Sequence, residues 1–155
     1  MARVVISGHG LAIEVPSGWE ARIFRRADAA PVLHAASFPL HDHDGDFGAA
    51  ATGRMRGDDR FLALVEYRPD GRLRAGHGLF APASRPVPRA PDFSPRQLQV
   101  TRAGQLGWQR FFTVAGRPCC VYAVVQPARL SAGRLVTDLA RVLDTLEIAP
   151  GTVTS

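Results

Sequence analysis

The chain has no lysine and no asparagine, and all 19 of its basic residues are arginines. That excludes a Schiff-base lysine, a Walker-type phosphate loop and N-linked glycosylation. Glutamate is scarce as well, present only at positions 14, 20, 66 and 147. Cysteine is limited to the neighbours Cys119 and Cys120. Adjacent Cα atoms lie about 3.8 Å apart, closer than a disulfide spans without strain, and on a strand the two side chains point to opposite faces. One core thiol and one outward thiol in a reducing compartment are expected. Long apolar runs are missing too. Gly8 and His9 break the N-terminal one, short of the about 7–15 apolar residues of a signal peptide, and nothing approaches the roughly 18 of a membrane span. The expectation is a cytoplasmic protein without membrane contact.

What remains is ordinary in bulk. At 155 residues, 46% hydrophobic and 21% charged, the chain fits one globular domain. We place that domain at residues 1–149 and a disordered tail at 150–155. Arginine without lysine, beside abundant alanine and glycine, reflects first a GC-rich coding bias; recruitment for bidentate recognition of anions is the second reading.

Val4–Ser7 and Leu11–Val15 read as strands of a hairpin around Gly8-His9-Gly10. Ala21–Arg25 and Val32–Phe38 read as the next two strands. Asp46 is placed to cap a short helix through Phe47, Ala50 and Met55, which Gly48 and Gly53 weaken. Phe61–Tyr67 is apolar on both faces and should be a central, buried strand. Residues 68–96 hold six prolines and read as loop, with a short strand near Leu79-Phe80. Strands follow at Gln97–Thr101, Trp108–Val114 and Cys119–Val125, with Gly116-Arg117-Pro118 turning between the last two. Leu135, Leu139, Val142, Leu143 and Leu146 recur at helical spacing behind Ser131 as N-cap. These elements predict an α+β fold: an antiparallel sheet of about six strands, covered by a C-terminal amphipathic helix and a short second helix.

The segment Gly10-Leu-Ala-Ile-Glu-Val-Pro-Ser-Gly-Trp19, a strand running into a Pro-Ser-x-Trp turn, resembles the opening of PsbP-like and LpqN-like domains. The strand at Cys119–Val125, the following helix and the apolar end Leu146-Glu-Ile148 resemble their C-terminal part. The chain is also similar to uncharacterised actinobacterial proteins that share its Gly-Trp-Glu turn, its Gly-Asp-Phe-Gly segment (45–48) and its Asp-Phe-Ser-Pro segment (92–95). The resemblance implies an antiparallel sheet between helices and mostly non-enzymatic, protein-binding roles. It carries over no set of functional residues.

Two regions could carry chemistry. The first is His41-Asp42-His43-Asp44-Gly45-Asp46, whose imidazoles and carboxylates suit a divalent metal. Counted from Asp42 as an EF-hand loop, however, the required glycine and glutamate are Phe47 and Gly53. The plain alternative is a solvated acidic loop that caps the next helix. The second region is basic. Residues 71–118 contain Arg72, Arg74, Arg85, Arg89, Arg96, Arg102, Arg110 and Arg117 against Asp92 alone, interleaved with Phe80, Phe93, Trp108, Phe111 and Phe112. Arginines among aromatic rings suit an acidic protein partner, or single-stranded nucleic acid as the weaker alternative. No Gly-x-Ser-x-Gly or other nucleophile motif is present, and a buried Glu66 is read as paired with an arginine across the sheet. The expectation is therefore a non-catalytic interaction module that needs no cofactor. Arg72, Arg74, Arg85, Arg89 and Arg96 would steer a protein partner, and Phe80 and Phe93 would anchor it. Metal or small-ligand binding at residues 41–46 is the rival from another class.

Overall fold

Two consecutive residues with positive φ, His9 (52°) and Gly10 (79°), close the first hairpin. Strand β1 (Arg3–Gly8) turns back there into β2 (Leu11–Pro16), with Gly8 opposite Leu11. A two-residue turn of this kind matches the twist of the strands it joins. The computed structural model describes residues 2–69 and 73–150. In chain order there follow β3 (Glu20–Phe24), β4 (Val32–Ala36), helix α1 (Ala49–Gly53), β5 (Arg60–Glu66), β6 (Leu106–Val114), β7 (Arg117–Val125), helix α2 (Ala132–Asp144) and β8 (Glu147–Ile148).

The fold is α+β with antiparallel pairing throughout, but the strands form two sheets where one of about six was expected. One has the order β1-β2-β8, the other β3-β4-β5-β7-β6. Pro16, which lacks an N–H, ends β2, and Gly18 (φ 89°) turns the chain so that β3 pairs with β4. The expected apolar end at residues 146–148 becomes β8, set against Leu11 and Ala12. Two expected strands are absent: Gly78–Phe80 is a 3₁₀ turn, and of residues 97–101 the first ends a 3₁₀ turn at Pro95–Gln97 and the rest join neither sheet.

Strands β5 and β7 lie in the middle of the larger sheet and are buried on both faces, as the run Phe61–Tyr67 predicts. On one face Leu33, Leu62, Leu64, Val121 and Ala123 meet Leu11, Ile13 and Val15 of β2 and the α2 stripe of Leu135, Leu139 and Leu143. Each fully buried leucine, isoleucine or valine of this set contributes roughly 1.5–3 kcal/mol. On the other face Ala36, Phe61, Ala63, Tyr122 and Val124 lie under Phe38, Ala51 and Met55, with Leu40, Phe47 and Leu98 at the margin. The cysteines do alternate between the faces, yet both are fully buried, Cys119 among the α2 core and Cys120 beside Gln109 Nε2 at 3.4 Å. An outward thiol was expected; instead burial pushes Cys119 up to about 12 and Cys120 up to about 11. Among the described residues no helix is long and apolar enough to cross a membrane.

Candidate functional site

The proline-rich segment guards the outer edge of the larger sheet. Thr113 N donates to Pro82 O at 2.8 Å, Thr113 Oγ1 to Phe80 O at 2.7 Å, and Gly76 N to Thr113 Oγ1 at 2.9 Å. Further along β6, Ser94 and Gly107 exchange both backbone bonds, at 2.9 and 3.0 Å. Gln97 Oε1 accepts from Gln109 N and from Arg110, each at 3.0 Å. An open edge strand invites pairing with another chain, and a covering loop stiffened by prolines prevents it.

This arrangement redistributes the expected contact residues. Phe80 is 2% exposed and packs edge-on against Phe111 at 5.6 Å. Phe93 is 7% exposed and stacks on Trp108 at 5.8 Å. Neither ring can anchor a partner. Arg85 is half-buried and donates to Leu143 O at 2.9 Å and to Leu146 O. It adds a donor at the C-terminal end of α2, where Leu143 O already accepts from Leu146 N at 3.0 Å and where a cation also suits the helix dipole. Arg74, Arg89 and Arg96 are exposed and have no side-chain partner among the described residues. Arg72 lies outside the described residues. Among its described residues, the large apolar side chains the segment exposes are Leu79 at 64%, expected in a short strand, and Val87 at 71%, to which no role was given. Large rings flanked by prolines look like anchors, but an aperiodic segment carries no signal for which of its residues faces inward.

The loop His41–Asp46 lies against the far face of the sheet, and its polar groups are spent on holding it there. Asp42 pairs with Arg22 at 3.0 Å, and Arg22 also donates to His41 O. Asp46 pairs with Arg26, which reaches Asp44 O as well. Asp44, and not the expected Asp46, caps α1: it accepts from Ala50 N at 3.0 Å, Ala51 N at 2.8 Å and Gly45 N at 2.7 Å. Partial burial opposes its ionisation, but these three bonds outweigh burial and hold its carboxyl below the usual value. His41 and His43 face solvent. Among the described residues no group of three or more histidine, cysteine or carboxylate side chains could hold a metal ion.

His34 belongs to the same corner. It is 2% exposed between the rings of Phe24 and Phe61, both 5.2 Å away, and its Nε2–H donates to Asp46 O at 2.8 Å. Burial holds its pKa below 6.5 despite the nearby carboxylates. The folded state therefore resists a proton that the unfolded chain accepts, so stability is full above pH 6.5 and declines as the pH falls below it. Thermal unfolding between about pH 7 and 5 should show this loss in the wild type and a flatter profile in His34→Gln, which keeps a donor but does not titrate. Equal slopes in the two proteins would refute the assignment.

A cleft of about 840 Å³ opens where the ends of several strands meet. Its walls are the β1–β2 turn, the β3–β4 loop through Pro31, the end of β5 through Pro69, and the β6–β7 turn. Arg117 lies at its base, 7% exposed, paired with Glu66 and donating to Gly10 O at 3.2 Å, Ala149 O at 3.1 Å and His9 O at 3.0 Å. Expected as a turn residue, Arg117 opens β7, and the turn itself is Ala115-Gly116, both with positive φ. Arg25 and Arg68 also line the cleft, exposed and without a partner among the described residues. Compared with protein-family models, curated proteins and solved structures, the chain matches none of them.

Proposed function

We propose that the chain is a non-catalytic protein-interaction module that captures an acidic partner along the guarded edge of its larger sheet. The observation that carries this reading is the pairing of exposed apolar side chains with unneutralised cations on one stiff segment. Leu79 and Val87 stand out from it, while Arg74, Arg89 and Arg96 have no ion-pair partner among the described residues. Burying two such side chains in an interface would supply roughly 1.5–3 kcal/mol each, and free arginines add steering and register. Proline already restricts the segment, so little conformational freedom is lost on binding. The resemblance of residues 10–19 and 119–148 to PsbP-like and LpqN-like domains, with their mostly protein-binding roles, points the same way.

A nucleic-acid reading loses its main support. Phe80, Phe93, Trp108 and Phe112 are buried, which leaves only the half-buried Phe111 of the five rings as a stacking surface.

The test is capture from a lysate with and without nuclease, at two salt concentrations, by the wild type and by Arg89→Glu/Arg96→Glu. Arg141→Glu serves as control, since Arg141 is an exposed arginine on α2. The expected result is a stoichiometric protein partner, weakened roughly tenfold by the paired reversal and by added salt but not by the control. Equal capture by all three proteins, or recovery of nucleic acid alone without nuclease, would overturn the reading. Arg85 is unsuited to this test because reversing it would unseat the end of α2.

A further inference from the structure

We propose that the cleft at the strand ends is a binding site for a small organic anion, with a carboxylate or phosphate head and an apolar body. Its lining combines the features that such a ligand needs. Among the described residues, three arginines, Arg25, Arg68 and Arg117, line it beside one carboxylate residue, Glu66. Arg117 consumes that carboxylate and spends its remaining donors on backbone carbonyls. Arg25 and Arg68 are thus left with no anion of the described residues to bind. A guanidinium presents a planar fork of donors that fits a carboxylate or phosphate two bonds at a time. Tyr67 also lines the cleft, while its ring packs against Phe80 at 5.4 Å.

Apart from His9 and Tyr67, the rest of the wall is proline, alanine and glycine. Pro31, Pro69, Pro118 and Ala115 contribute ring and methyl surface suited to a ligand body. The volume of about 840 Å³ lies within the range of small-molecule sites. Arg117 makes the shape permanent, because its bonds join the β1–β2 turn, the end of β5 and the residue after β8. A site held open in this way loses little freedom when a ligand enters. The cleft lining is separate from the edge carrying Leu79, Val87, Arg89 and Arg96, so this inference stands apart from the proposed protein partner.

The experiment is an NMR titration of the isotopically labelled chain with benzoate, phenyl phosphate and inorganic phosphate, at constant ionic strength and with chloride as reference. Saturable shifts are expected at residues 9–10, 25–31, 66–69 and 115–118, with phenyl phosphate bound more tightly than inorganic phosphate. Benzoate and phenyl phosphate share a ring, so their ratio distinguishes the two head groups. Arg25→Gln/Arg68→Gln should weaken binding roughly tenfold or more and leave the thermal midpoint unchanged, since both side chains are exposed and have no partner among the described residues. Absence of saturable shifts with all three probes, equal affinity in the double variant, or inorganic phosphate bound as tightly as phenyl phosphate would each overturn the proposal.

Discussion

Replacing Arg117 with methionine should cost about 3–5 kcal/mol, one of the largest losses available to a single substitution here. The side chain is 7% exposed and its partner Glu66 is 14% exposed. Removing the guanidinium strands a carboxylate in a site where water reaches it poorly, and that desolvation is no longer offset. The carbonyls of His9, Gly10 and Ala149 lose their donor in the same step. Two of these carbonyls belong to the β1–β2 turn and the third follows β8, so one side chain cross-links the smaller sheet to the end of the larger one.

The two contributions are separable. Arg117→Met/Glu66→Gln removes both charges and should recover the portion due to the stranded carboxylate, while the carbonyls stay unserved. Arg117→Lys keeps the charge, but one ammonium cannot reach Glu66 and three carbonyls in the directions of a planar fork. It should fall between wild type and Arg117→Met. Urea unfolding, read as a midpoint shift at constant slope, measures all three. A loss below about 1 kcal/mol for Arg117→Met would contradict the cross-linking role. It would leave the pair equivalent to an exposed ion pair.

The parts of the fold that were legible in the sequence are those whose pattern is local. The period of Leu135, Leu139, Val142 and Leu143 locates α2, and Ser131 does cap it, accepting from Arg134 N at 3.2 Å. The two-sided apolar run of β5 announces its central place. The Glu66–Arg117 pair was also foreseen in kind, because a carboxylate on so apolar a strand needs a cation nearby. What escaped depends on contacts far apart in the chain. Arg85 bonds carbonyls 58 and 61 positions away, so nothing near it distinguishes a helix cap from a free steering charge. Residues 97–101 have strand-like composition, but the edge of β6 is already occupied by Ser94 and Gln97, and Gln99 N turns instead to the Tyr122 hydroxyl at 2.8 Å. The division into two sheets follows from the turn after Pro16, and composition alone does not say which strands a turn will pair.

Gly48 and Gly53 looked alike in sequence, each a weakening of the helix around residue 50, yet alanine should act on them in opposite directions. Gly48 has φ 69° and ψ 39°, and its carbonyl starts α1 by accepting from Thr52 N at 2.8 Å. A side chain in this left-handed conformation costs about 1–2 kcal/mol by itself. The added Cβ would also lie 2.7 and 2.9 Å from Phe61 Cε1 and Cε2, closer still to the tip of the ring. Phe61 is fully buried against His34, so relief requires the far-face core to shift, at about 1–3 kcal/mol more. Gly48→Ala should therefore lose about 2–5 kcal/mol. Gly53 lies on the helix with ordinary φ, and its added Cβ would meet only the end of the Arg102 side chain, at 3.2 Å. That end is held by one bond to Ala49 O at 3.2 Å and needs to give only a few tenths of an ångström, and alanine removes freedom from the unfolded chain, so Gly53→Ala should be neutral or gain up to about 1 kcal/mol. Urea unfolding of the two variants beside the wild type decides the matter. Equal gains in the two variants would mean that both glycines act only through helix propensity, and that the contact between Gly48 and Phe61 contributes nothing.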